Sequence, residues 1–292
     1  MPIPLAALIP TDPYAGLWNL ERRGQAFKLD GSMVKSTDGR WGVLVGHLHR
    51  ACALHRFLMG RARFPVHERF ANRREAGRRL AEALVPLRLA RPLVLALPRG
   101  GVPVAYEIAV ALDAPLDVLI VRKLGSPGHP ELGLGAVVDG AHPQRILNER
   151  VMEMVRPSAA YLEEEERRQL AVIAERKERL RRARPPEPIA GRSVVLVDDG
   201  IATGGTARAA LQALSRSGAA RTVLAVPVAP PESLAEMPLA PEDIVCLLAP
   251  PDFMAVGAYY DDFSQTDDDE VAELLERAGR RAAPSGGPPA AT

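Results

Sequence analysis

The segment Val194-Val-Leu-Val-Asp-Asp-Gly-Ile-Ala-Thr-Gly-Gly-Thr206 decides how the chain is read. Ser193 opens a strand that continues as unbroken aliphatic residues to Val197, the pattern of a central parallel strand covered on both faces. Asp198 and Asp199 follow at its carboxyl end, where open α/β sheets place their ligands. Ala202, Thr203, Gly204 and Gly205 carry little side chain beyond one hydroxyl, so backbone N–H groups can close around an anion. Thr206 begins a helix whose positive end and unpaired N–H donors reach the same point. The implied ligand carries a phosphate about one sugar length from a pair of hydroxyls or a metal.

Working outward, the same alternation recurs. Asn72 starts a helix with Ala76, Leu80, Ala83, Leu84 and Leu87 on one face, while Arg73, Arg74, Arg78 and Arg79 read as its solvated side. Leu93 to Leu97 is a strand, Pro98-Arg-Gly-Gly101 a loop, Val102 to Leu112 a helix and Leu116 to Val121 the next strand. Strands at Thr222–Pro227 and Ile244–Leu248 continue the series, so the order predicts right-handed crossovers and a doubly wound, mainly parallel α/β sheet. One insertion, Ser158 to Arg184, is a long helix: Ser158 caps it, Glu163 to Glu166 lie near its start, and Pro185-Pro186 stops it.

Two further turns point at the same sheet edge. Gly100 and Gly101 expose backbone N–H groups after one strand, and Arg99 can add bidentate contacts to an anion. Arg122 and Lys123 leave the next strand and enter a segment punctuated by Gly125, Pro127, Gly128, Pro130 and Gly133, which reads as a mobile loop from Arg122 to Leu134. His129 and Glu131 sit within it. Nearer the end, Asp252-Phe-Met-Ala-Val-Gly-Ala-Tyr-Tyr-Asp-Asp-Phe263 supplies Phe253, Tyr259 and Tyr260, which suit either stacking on a flat heterocycle or filling an aromatic-poor core. Asp267-Asp-Asp-Glu270 then precedes a short helix with Val271, Leu274 and Leu275, and reads as favourable N-terminal charge.

The segment 194–206 closely resembles the phosphoribosyl diphosphate (PRPP) signature of the type I phosphoribosyltransferases, and the resemblance runs from residue 64 to 278. It implies that Asp198 and Asp199 hold the ribose hydroxyls and that Ala202, Thr203, Gly204, Gly205 and Thr206 wrap the 5-phosphate. It makes Arg99, Gly100, Gly101, Arg122 and Lys123 the diphosphate side, with the loop after Arg122 closing over PRPP. Phe253, Val256, Tyr259 and Tyr260 stand where related enzymes hold the acceptor base. The implied activity is Mg²⁺-dependent transfer of a phosphoribosyl group to a nitrogenous base with release of diphosphate. The metal is expected near Asp198 and Asp199 and not in a site built from protein ligands alone. Ala258-Tyr-Tyr-Asp261 partly resembles the acceptor segment of hypoxanthine–guanine enzymes, which puts a purine ahead of orotate. A PRPP-sensing regulator without turnover and a hydrolase of a phosphorylated ribose are the alternatives. A homodimer is the assembly expected of the family.

Composition narrows the remaining classes. Hydrophobic residues are 47% of the 292 but aromatics only 4%, so the core is aliphatic. A net charge of +1 gives no general attraction to nucleic acid or an anionic membrane. No apolar run approaches the ~20 residues of a membrane span, and the N-terminus lacks the basic start of a signal peptide, so a cytoplasmic location is expected. Residues 1–60 form an extension, expected to be poorly ordered, with a candidate strand at Trp41–Val45, a helix at His49–Met59, and Met59 as an alternative start. His47, His49, Cys52 and His55 imitate a zinc constellation, but their spacing does not place all four on one helix face. The tail from 281 to 292 is low in complexity and expected to be disordered.

Overall fold

The computed structural model describes residues 68–282 except 141, 142 and 183. Asn72 opens the fold by accepting the Glu75 N–H at 3.0 Å, capping α1 (Arg73–Leu84). Then come β1 (Pro92–Ala96), α2 (Gly101–Ala111) and β2 (Leu116–Val118). Three antiparallel strands follow: β3 (Val121–Ser126), β4 (His129–Val138) and β5 (Gln144–Leu147). α3 (Glu149–Val155) leads into the long α4 (Ala159–Arg181). The chain returns through β6 (Ser193–Val197), α5 (Gly205–Leu214), β7 (Arg221–Val228), α6 (Pro231–Ala235) and β8 (Ile244–Leu248). It reaches α7 (Asp268–Ala282) by way of a 3-10 turn, Val256–Tyr259. These elements form one compact unit from Arg69 onward.

The main sheet is the expected one: five parallel strands in the order β2-β1-β6-β7-β8, with β6 in the middle. Because successive side chains alternate across a strand, its unbroken apolar runs feed two cores. Val94, Ala96, Val195, Val197, Val223 and Ala225 join Leu80 and Leu84 of α1, Ile108 of α2, and Leu274 and Leu275 of α7. Leu93, Leu95, Val194, Leu196, Leu224 and Val226 meet Ala207, Ala210, Leu211 and Leu214 of α5 on the opposite face. Both cores are almost wholly aliphatic, as the shortage of aromatics requires.

The loop expected from Arg122 to Leu134 is a correction. It is a β-hairpin, β3 with β4, joined directly from Ser126 to His129. Pro127 sets one central turn position and Gly128, at φ 72°, accepts the left-handed geometry of the other, so the punctuating residues build a turn within a sheet. Irregular register at Leu124–Gly125 and Gly125–Ser126 absorbs the other glycine. α4 holds the hairpin from above: Tyr161 Oη donates to the Gly125 carbonyl at 3.0 Å and Arg122 Nε donates to Gln169 Oε1 at 3.1 Å.

That long helix is shorter than the predicted 158–184, ending at Arg181 with Arg182 left-handed at its C-cap. Ser158 caps it as expected, accepting the Tyr161 N–H at 3.2 Å. The local ion pairs are Arg167–Glu164 and Arg168–Glu165, each three residues apart on the helix. Its far end is fixed by buried charge. Arg181 lies 2.8 Å from Asp117 and 3.4 Å from Asp139, while Lys177 reaches Asp139 at 2.7 Å. α7 continues through Ala282, past the expected boundary at 280. The strand and helix expected in residues 41–59, the His47–His55 constellation, Met59 and the tail residues 283–292 lie outside the described residues. Among the described residues no helix is long and apolar enough to cross a membrane.

Candidate active site

Two strand ends meet at the centre of the sheet. The Leu97 N–H bonds the Val197 carbonyl at 2.9 Å, so the loop after β1 and the acidic pair after β6 start from paired positions. Within that loop the Pro98–Arg99 peptide is cis. The Gly101 and Val102 N–H groups return to Leu97 and Arg99 carbonyls at 3.2 and 3.1 Å. Gly100 and Gly101 then press against the acidic pair. A Cβ on Gly100 would lie 2.0 Å from Asp199 Oδ2, and one on Gly101 would lie 3.0 Å from Asp198 Cα. The glycines expected for their backbone donors are needed for close approach as well.

Asp198 Oδ1 accepts the Asp199 N–H at 2.9 Å, which fixes the turn. Burial, and then the negative charge of Asp199, holds the Asp198 carboxyl well above the usual range. Asp199 is also raised by burial, but the Arg73 guanidinium opposes the shift. Two neighbouring carboxylates in a sheltered strand end form a site that gains when hydroxyl donors or a cation arrive.

Beyond Gly200, the loop leading to Gly204 is tied by hydrogen bonds on one side and open on the other. Ile201 N bonds Val228 O at 2.9 Å and Ser233 Oγ donates to Ala202 O at 2.6 Å. Gly204, left-handed at φ 73°, is the N-cap of α5 and offers no side-chain cap. The first return bond of the helix runs from Arg208 N to Gly204 O, so the N–H groups of Gly205, Thr206 and Ala207 are the helix's open donors. Thr203, Gly205 and Thr206 are exposed, and a Cβ on Gly205 would meet nothing within 4 Å. An anion can therefore reach these donors from solvent.

The described chain matches the phosphoribosyl transferase domain over residues 70–245, a span that holds the Gly100–Gly101 turn, the acidic pair and the anion loop. The chain belongs to the phosphoribosyl transferase family. Proteins of two Mycobacterium tuberculosis strains, CDC 1551 / Oshkosh and H37Rv, each provisionally named a phosphoribosyl transferase, are 48% identical to it over 217 residues, 74% of this chain. The chain spans about half the length, 48%, of these curated relatives. A crystal structure from Thermus thermophilus is 47% identical, with a TM-score of 0.63, and the match covers 72% of this chain and 98% of that one.

Other expected residues of this phosphoribosyl transferase fold are placed less simply. Arg99 is 3.9 Å from Asp268 at the start of α7, which Arg179 also holds at 2.8 Å. Lys123 pairs with Glu131 of its own hairpin at 2.9 Å, and Arg122 is held by Gln169. On the acceptor side, Tyr260 is a correction. Its side chain is 1% exposed, packs on Phe70 and donates its hydroxyl to the Asp199 carbonyl at 2.6 Å, which leaves no ring face for a base. Burial and the nearby Asp199 charge push its phenol upward, so it stays a donor. Tyr259 is likewise 3% exposed and stacked on Phe253 at 5.7 Å. Phe253 and Val256 remain half-buried, and Val256 closes over Gly200, where a Cβ would come within 2.5 Å of it.

Helix periodicity misplaces one residue. Arg73, predicted on the solvated face, turns inward: Nε and Nη2 both lie 2.8 Å from Asp199 Oδ2, and Nη1 donates to Ser264 O at 2.7 Å. Its guanidinium carbon stands 3.9 Å from the centre of the Phe263 ring. Position at the first residue of a capped helix is the one available signal, and the neighbouring arginines obscure it. Arg74 and Arg78 face Glu107, and Arg79 lies over the Phe70 ring.

Proposed function

We propose that this chain transfers the phosphoribosyl group of PRPP to a nitrogenous base, releasing diphosphate. The observation that carries the reading is the contact of the Gly100–Gly101 turn with the Asp198–Asp199 pair, beside the open start of α5. One ligand spanning these three points needs a 5-phosphate, vicinal hydroxyls and an anionic group at C1. PRPP has all three.

In this reading Thr203 to Thr206 hold the 5-phosphate and the acidic pair accepts from the ribose hydroxyls. The C1–O bond to diphosphate breaks as a nitrogen of the base approaches C1, through an oxocarbenium-like transition state. Asp198 and Asp199 place negative charge beside that sugar cation, and the N–H proton that the base gives up goes to the departing diphosphate or to water and not to either carboxylate. Arg99 and the backbone of Gly100 would face the departing diphosphate, and Arg122 and Lys123 would have to leave Gln169 and Glu131 to reach it from the hairpin. Among the described residues no cluster of three His, Cys, Asp or Glu side chains is arranged to hold a metal. Two carboxylates, one already engaged by Arg73, fit an ion carried mainly by substrate oxygens and water, which is the habit of Mg²⁺. When bound, Mg²⁺ would neutralise charge on the leaving diphosphate. We favour a purine as acceptor, on the partial resemblance of Ala258–Asp261 and the half-buried Phe253 and Val256.

Incubation with PRPP, Mg²⁺ and a panel of bases tests this reading. Diphosphate release that one base stimulates is expected. Tight PRPP binding without base-stimulated release would make the chain a PRPP sensor, and base-independent formation of ribose phosphate would make it a hydrolase. A second test concerns the anion loop. Gly205→Ala should raise stability by about 0.5 kcal/mol, because Ala suits a helix start better and space is open. The same Cβ stands where the phosphate must approach, so PRPP binding should weaken about tenfold. Calorimetry and thermal melts of the one variant read both effects.

A further inference from the structure

Arg73 is a built-in counter-cation of the acidic pair. It lies 126 residues before Asp199 in the chain, yet two of its nitrogens share one carboxylate oxygen at 2.8 Å. The pair is sheltered, with side chains 11% and 15% exposed. Every part of the guanidinium edge is engaged: Nη1 bonds Ser264 O at 2.7 Å, and the Phe263 ring covers one face at 3.9 Å. Gly100 closes the remaining side, since a Cβ there would lie 2.0 Å from the same Asp199 oxygen and 3.3 Å from Arg73 Nε. Oδ2 of Asp199 thus faces protein, and only its other oxygen is left for a ligand.

We propose that Arg73 is a positioning residue that acts through Asp199 and sets how much metal the site needs. A paired Asp199 contributes little net charge, so the pair presents roughly one negative charge to an anionic substrate, not two. Asp199 then orients a hydroxyl through its fixed carboxylate, and Asp198 is the carboxylate left to act by charge. Without the guanidinium, both carboxylates repel the approaching phosphates until a divalent cation screens them. Wild-type affinity should therefore depend weakly on Mg²⁺ at this end of the site, and the affinity of an Arg73 variant should depend on it strongly.

This inference rests on the PRPP reading above. The test is calorimetric titration of wild type, Arg73→Met and Arg73→Lys with PRPP, each in EDTA and in millimolar Mg²⁺. In EDTA, Arg73→Met should bind PRPP about tenfold more weakly than wild type, and in Mg²⁺ the gap should shrink below about threefold. Arg73→Lys keeps the charge but not the two-point contact, and should fall between them. It also carries the comparison if Arg73→Met does not fold. A loss of the same size with and without Mg²⁺, or no loss, overturns the proposal. Failure of wild type to bind PRPP under either condition overturns the PRPP reading instead.

Discussion

Asp198→Asn is expected to lower PRPP-dependent diphosphate release about a hundredfold while making the free protein more stable. The loss follows from the removal of a negative charge beside a developing sugar cation. The gain follows from the same burial. The folded protein holds the Asp198 proton to higher pH than the unfolded chain, whose carboxyl titrates near 3.8. Stability contributed by that group is therefore full at low pH and lost as pH rises through the folded value. Asparagine removes this loss and can still accept the Asp199 N–H through its amide oxygen. At neutral pH the variant should gain about 1 kcal/mol, or about 2–4 °C in Tm. Urea titrations across pH 4 to 8 should show a flatter stability profile than wild type. Asp199→Asn should lose activity too but without the gain, because it strands the sheltered guanidinium of Arg73.

Arg181→Met should have the largest effect on stability. Arg181 ends the long α4 and is buried with both of its carboxylate partners. Its Nε reaches Asp117 at 2.8 Å, Nη2 donates to the Val118 carbonyl at 2.9 Å, and Nη1 stands 3.4 Å from Asp139 Oδ2. That Asp139 oxygen has no hydrogen-bond partner, so its compensation is the charge of Arg181. Methionine would keep much of the volume and leave two buried carboxylates with Lys177 as the remaining cation, on Asp139 alone. Breaking such a network costs about 3–5 kcal/mol, which for a domain of this size lowers Tm by about 10 °C. Differential scanning calorimetry would show it, and an unchanged Tm would mean that α4 is held by its apolar seam.

The centre of the fold is legible in the sequence because its signals are local. Val194 to Val197 announces a doubly covered strand, Asp198 and Asp199 stand at its carboxyl end, and Gly204–Gly205 marks the start of a helix. β6, the turn and α5 lie where these residues place them. The hairpin is hidden because Gly125, Pro127, Gly128 and Pro130 suit a loop by composition. The alternation of Leu134, Ala136 and Val138, all buried, is the strand signal that the glycines mask. Arg73 and Tyr260 are illegible for a different reason. What an arginine on a charged helix or a tyrosine in an aromatic segment touches is decided by contacts far away in sequence: Asp199 for one, Phe70 and the Asp199 carbonyl for the other. Periodicity reports a face of an element and not its partner.

The catalytic reading depends on one binding event at the junction of β1 and β6. Calorimetric titration of the wild-type chain with PRPP in the presence of Mg²⁺ tests it most directly, with Asp198→Asn as the paired sample. Saturable binding of one PRPP per chain, displaced by diphosphate and weakened in the variant, is the expected result. Absence of binding up to millimolar PRPP, or binding that Asp198→Asn leaves unchanged, would contradict it.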